Sequence, residues 1–142
     1  MSTSRKRLRF DSVEVVQQPA GGRLVRVTFA LGETLVQAES ESGAGGIDLL
    51  KAAAAATLKA VQEAAANRFT CSLADLDHVN ALGKNLIAVL VDVDFGGRAV
   101  QVFGSCQLTG DETDCAVKAA LNAINRIFEL AMRDSPTDLG NS

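Results

Sequence analysis

The stretch "LVRVTFALGETLVQA" at 24–38 decides how this chain is read, because "AVLVDVDFGGRAVQV" at 88–102 repeats it without a gap. Val25 falls on Val89, Val27 on Val91 and Phe29 on Val93. Leu31 falls on Phe95, Gly32 on Gly96, and Val36-Gln37 on Val100-Gln101. Each copy alternates apolar and polar residues, turns at glycine and alternates again. That is the pattern of a β-hairpin with one buried face.

Outward from the hairpins the repetition continues. A strand-like run precedes each one, "LRFDSVEVV" at 8–16 and "FTCSLADLDHV" at 69–79. A loop and a helix-like run follow, "GGIDLLKAAAAATLKAVQEAA" at 45–65 and "GDETDCAVKAALNAINRIFELA" at 110–131. The chain therefore reads β-β-β-α twice. The expected fold class is α+β, a duplicated β-β-β-α unit with mainly antiparallel sheets and two helices packed on them. Repeat one spans about 8–66 and repeat two about 67–133, within a single domain at 8–133. Residues 1–7 read as a basic flexible tail, with Arg9 extending its run of Arg5, Lys6 and Arg7, and 134–142 as a flexible tail beginning at a helix stop, Ser135-Pro136.

The first helix carries an apolar stripe at Ile47, Leu50, Ala54, Leu58, Val61 and Ala65. The second is apolar over a wider arc, with Val117, Leu121, Ile124 and Phe128 in one row and Ala116, Ala119, Ala123, Ile127 and Leu130 in another. One sheet needs only one stripe, so the wider arc predicts a further contact, with the sister helix or with a second subunit.

The 142 residues suffice for one real core, since a domain of about that size buries roughly 70% of its unfolded surface. Aromatics are scarce, with six Phe and neither Trp nor Tyr, so any site relies on aliphatic walls, backbone groups and a few charges. A net charge of −3 and the lack of stacking aromatics argue against nucleic-acid binding. No apolar run is long enough for a membrane span, and no apolar segment of a signal peptide follows the basic residues. Cys71, Cys106 and Cys115 are odd in number and lack CxxC spacing, which argues against a disulfide framework or a zinc site and for a reducing cytoplasm. No cofactor is expected.

The glycine-rich run Gly43–Gly46 before the first helix invites comparison with a phosphate loop. It lacks the Lys-Ser/Thr of a P-loop and the spacing of a dinucleotide fingerprint, and it follows a hairpin. A structural turn remains open, as does a small ligand. Free N–H groups at the helix start favour a carboxylate, Asp48 favours a cation, and Ile47 offers an aliphatic surface; a free amino acid carries all three features. Asp111, Glu112 and Asp114 read as an N-cap with favourable charges at the second helix. Asp92 and Asp94 read as the solvated face of a strand, and His78 as a surface or strand-end histidine. The cysteines read as core fillers, with Cys115 near a helix N-terminus open to a lowered pKa. No nucleophile, base and orienting group come together, so an enzyme is not expected.

Taken together, the two helix entrances resemble those of the C-terminal allosteric, dimerisation domain of 2-isopropylmalate synthases and citramalate synthases. "GAGGIDL" at 43–49 keeps the family's Gly43, Gly45 and Asp48, with Ile47 in place of Val. "GDETDCAVKAALNAINR" at 110–126 keeps Asp111, Lys118, Ala119, Leu121, Asn122, Ala123, Asn125 and Arg126. The resemblance covers about residues 8–132 and includes the duplication. It implies a non-catalytic homodimer that binds a branched-chain amino acid, leucine or isoleucine, at the dimer interface and regulates a catalytic synthase. Carried over, the ligand contacts are Gly43, Ala44, Gly45, Ile47 and Asp48 on the loop, and Ser72, Asp75, Val79, Leu86 and Ala88 on the later segment. Ala44 and Gly46 replace the family's Asn and Pro, and no Tyr is available to line the pocket. The ends read as those of a stand-alone relative that acts on a separate synthase subunit. The alternative is a dimeric interaction module that has lost its ligand.

Overall fold

The computed structural model describes residues 8–133. Arg5, Lys6, Arg7 and the tail from residue 134, with its expected stop at Ser135-Pro136, lie outside the described residues. The order is β1 (Leu8–Gln17), β2 (Arg23–Leu31), β3 (Thr34–Ser42), α1 (Gly46–Ala64), β4 (Phe69–Ala81), β5 (Lys84–Phe95), β6 (Arg98–Gln107) and α2 (Glu112–Arg133). The strands form two separate three-stranded antiparallel sheets, β1-β2-β3 and β4-β5-β6. The chain is thus α+β and built from two β-β-β-α units. Arg9, grouped with the basic tail by composition, belongs to β1.

Alternation along the central strands explains the sheets. Val25, Val27 and Phe29 of β2 are buried, and so are Val89, Val91 and Val93 of β5. These are the residues that the repeat superposes. Both inner hairpins turn over two residues: Gly32 begins one with φ of 62°, while Gly96 and Gly97 form the other with φ of 63° and 79°. Such left-handed positions match the twist of paired strands and favour glycine. Each first strand also carries a bulge, between Phe10 and Ser12 in β1 and between Leu73 and Asp75 in β4.

Helix α1 packs on β2 and β3, α2 packs on β5 and β6, and the helices pack on each other. The sister helix is therefore the second contact that the wide apolar arc of α2 requires. Ala119, Ala120, Ala123, Ile124, Ile127 and Phe128 are buried there, and Ala53, Ala54, Ala56, Leu58, Ala60 and Val61 in α1. The small side chains let the backbones approach closely. Ile47, the first member of the expected α1 stripe, instead stays 38% exposed. Helix α1 also ties the two units together: the Gln62 amide oxygen accepts the Cys71 N–H at 2.9 Å, and the Cys71 thiol donates to the Leu58 carbonyl at 3.6 Å. No helix among the described residues is long and apolar enough to cross a membrane.

Gly104 marks a close approach of strand and helix backbone. A Cβ there would run into the α2 backbone at Ala119 and Ala123. The repeat places Ser40 at the matching position of β3. It pairs with Val25 as Gly104 pairs with Val89.

Candidate functional site

The loop between β3 and α1 is held from within the chain. One terminal nitrogen of Arg23 lies 3.0 Å from each of the Gly43, Ala44 and Gly45 carbonyl oxygens. The Asp48 carboxylate folds back over the loop, and its Oδ2 accepts the Gly45 N–H at 3.2 Å. This is half of a capping box, with glycine supplying only its backbone. The glycines make room for the carboxylate: a methyl at Gly43 would lie 2.8 Å from Asp48 Oδ2 and one at Gly45 3.2 Å. Gly43 and Gly45 are therefore the seat of an internal anion. Asp48 thus takes one of the N–H groups at the helix entrance, that of Gly45.

An open cleft of about 540 Å³ lies beside that loop, lined by Ser40, Glu41, Gly43, Asp48, Lys51, Ala52, Ala55 and Leu73. Asp48, Lys51, Ala52 and Ala55 share one face of α1 because they are three and four residues apart. Ser40 and Glu41 come from the end of β3, and Leu73 from β4. The cleft thus offers the Asp48 carboxylate, the Lys51 ammonium and an aliphatic wall, with Glu41 at its edge on the opposite face of β3 from the inward Ser40. Lys51 makes no ion pair among the described residues.

Of the ten expected ligand residues, Gly43 and Asp48 line this cleft. Ala44, Gly45 and Ile47 are exposed on the same loop and first helical turn. Ser72, Asp75, Val79, Leu86 and Ala88 do not join them. In the strand registers these residues pair across β4 and β5 on the side opposite the buried Ile87, Val89, Val91 and Val93. They face away from α2, while Leu73 points inward to the cleft. A single chain therefore does not bring the two groups to one ligand. The bulge between Leu73 and Asp75 shifts the alternation of β4, so faces assigned by counting along the strand are wrong beyond it.

Arg23, Ser40, Glu41, Lys51 and Leu73 were not singled out in the sequence. They share no local motif: Arg23 reaches the loop from β2, and the others meet because α1 lies along β3 and β4. For Lys51 a signal did exist, since it lies one helical turn beyond Asp48.

The remaining candidates behave as solvated or structural groups. Asp111 caps α2: its Oδ2 accepts the Asp114 N–H at 3.3 Å. Asp92 accepts from the Gln101 side chain at 2.8 Å, and His78 Nε2 lies 3.1 Å from Glu112 on the surface. Among the described residues no group of acidic, histidine or cysteine side chains has the arrangement of a metal site. The expectation of a low pKa at Cys115 is overturned. Burial first, then the neighbouring Cys106 thiol, pushes Cys115 up to about 11, and its thiol donates to the Cys106 carbonyl at 3.3 Å. Burial also pushes Cys71 up to about 11. All three cysteines are free.

No model of a known protein family matches this chain, and no curated protein matches it.

Proposed function

We propose that this chain is a non-catalytic regulatory protein that binds a small aliphatic zwitterion, such as a branched-chain amino acid, in the cleft beside α1. The observation that carries the reading is the placement of Asp48 and Lys51 beside the aliphatic surface of Ala52, Ala55 and Leu73. An ammonium group fits the carboxylate side, a carboxylate fits Lys51, and a short branched chain fits the wall. Small-molecule sites combine these features: an apolar lining and a few placed charges. The resemblance to the allosteric domain of 2-isopropylmalate and citramalate synthases supports the same ligand class and a homodimer. Binding acts on a separate synthase subunit by favouring one of two arrangements, which requires different affinities for the two.

Isothermal calorimetry with leucine, isoleucine and valine tests this reading. We expect saturable binding of at least one of them, lost in Lys51→Glu. Absence of heat and of thermal stabilisation at millimolar concentrations of all three overturns it. A second reading, an interaction module without a ligand, is favoured by Asp48 filling the loop's own anion seat. It predicts an oligomer whose stability ignores amino acids.

A further inference from the structure

The solvent faces of the two sheets diverge in chemistry at the centre, where the duplication would have them match. In the first sheet Arg26 bridges Glu39 at 2.6 Å and Glu14 at 3.3 Å. Glu39, through its hydrogen bond and then its charge, raises the Arg26 pKa further. The matching residues of the second sheet are Leu90 and Phe103, which pair directly across β5 and β6, and Asp75 stands opposite Leu90 on β4. An ion ladder is replaced by an apolar pair with a carboxylate beside it. The next cross-strand pair keeps its chemistry: Gln37 donates to Thr28 at 3.1 Å, and Gln101 to Asp92 at 2.8 Å.

Phe103 is 65% exposed. A depression of about 170 Å³ separates it from Asp75 and Asp77, with Ala88 and Leu90 on its floor. Each of these aspartates accepts only the N–H of the following residue, and neither has a cationic partner among the described residues.

We propose that this face docks a partner protein through a basic segment, with an arginine side chain seated in the depression. The planar guanidinium lies over the Phe103 ring, its aliphatic stem covers Ala88 and Leu90, and its donors meet Asp75 and Asp77. The apolar pair gives contact area and the two carboxylates choose the sign of the partner's charge. A second copy of the same face would set acid against acid, which selects against self-pairing here. The surface lies on the opposite side of its sheet from the α1 cleft, so the inference does not depend on the cleft holding a ligand.

The test is a titration of the isotope-labelled full chain with an N-acetylated, C-amidated hexapeptide of alternating leucine and arginine, followed by amide NMR. The expected result is saturable shifts centred on Asp75, Asp77, Leu90 and Phe103. Affinity should fall at least about tenfold in Phe103→Ser and in the double variant Asp75→Asn/Asp77→Asn. The leucine–glutamate peptide should not bind. Equal affinity in Phe103→Ser, shifts spread over every acidic surface, or no binding up to about 1 mM overturns the proposal. Conversion of a dimer to a monomer by Phe103→Ser, read by light scattering, also overturns it, because the face then belongs to a second copy. Leucine calorimetry on Phe103→Ser separates the two sites: unchanged heat leaves the cleft reading intact whatever the peptide does.

Discussion

Leu82 sits at the tip of the β4–β5 hairpin with φ of 55° and 99% of its surface exposed. It precedes Gly83, whose φ is 74°, in a two-residue turn with both positions left-handed. For an L-residue with a Cβ this conformation costs about 1–2 kcal/mol, and the exposed side chain regains nothing within the chain. Leu82→Gly is therefore expected to stabilise the fold by about 1 kcal/mol, read as a higher urea midpoint at unchanged slope. Arg23 is the opposite case, a side chain holding more than its sequence context suggests. Arg23→Ala removes the donor shared by three loop carbonyls. We expect a loss of about 1 kcal/mol, with faster amide exchange at Asp48 and Leu49 and little change in the middle of α1.

The packing of each helix on its sheet turns on one pair of equivalent positions. At Gly104 the α2 backbone rests on β6, and a single methyl would collide with it. Backbone cannot move aside as a flexible side chain does, so Gly104→Ala is expected to cost about 2–3 kcal/mol in chemical denaturation. Ser40, its counterpart, lines the open cleft instead. The strands and helices were legible because period-two and helical patterns repeat in both halves and reinforce each other. Val25 and Val89 could be assigned to the core by matching alone. The α1 cleft was legible only in part. Asp48 announces itself next to the glycines, but Leu73 reaches the cleft from another strand, and its alternation with Phe69 and Cys71 gives its face without saying which helix it meets. The bulge after Leu73 turns Asp75 away from the loop to which the resemblance joined it, whereas Ser72 faces away by simple alternation.

Two thiols are held in the interior: half-buried Cys71 donates across the units to Leu58, and buried Cys115 donates to Cys106 within the second. Cys71 and Cys115 both have folded pKa values of about 11, above the ordinary 9.0. The sign of the linkage follows from proton binding. Below about pH 9 both thiols are protonated in either state, and their contribution is fully present. Between 9 and 11 the unfolded chain releases protons that the folded chain retains. Stability should therefore fall as pH rises through that window, and Cys71→Ala/Cys115→Ala should flatten the fall. Denaturant midpoints measured from pH 8 to 11 provide the check.

Gly104 also makes the two halves of this duplicated molecule unequal in what they tolerate. Between β6 and α2 backbone lies on backbone, with no room for a methyl. At the equivalent place on β3, Ser40 carries a side chain and borders open volume. Change between helix and sheet is therefore accommodated in the first half and barred in the second, so the second half is the more constrained copy.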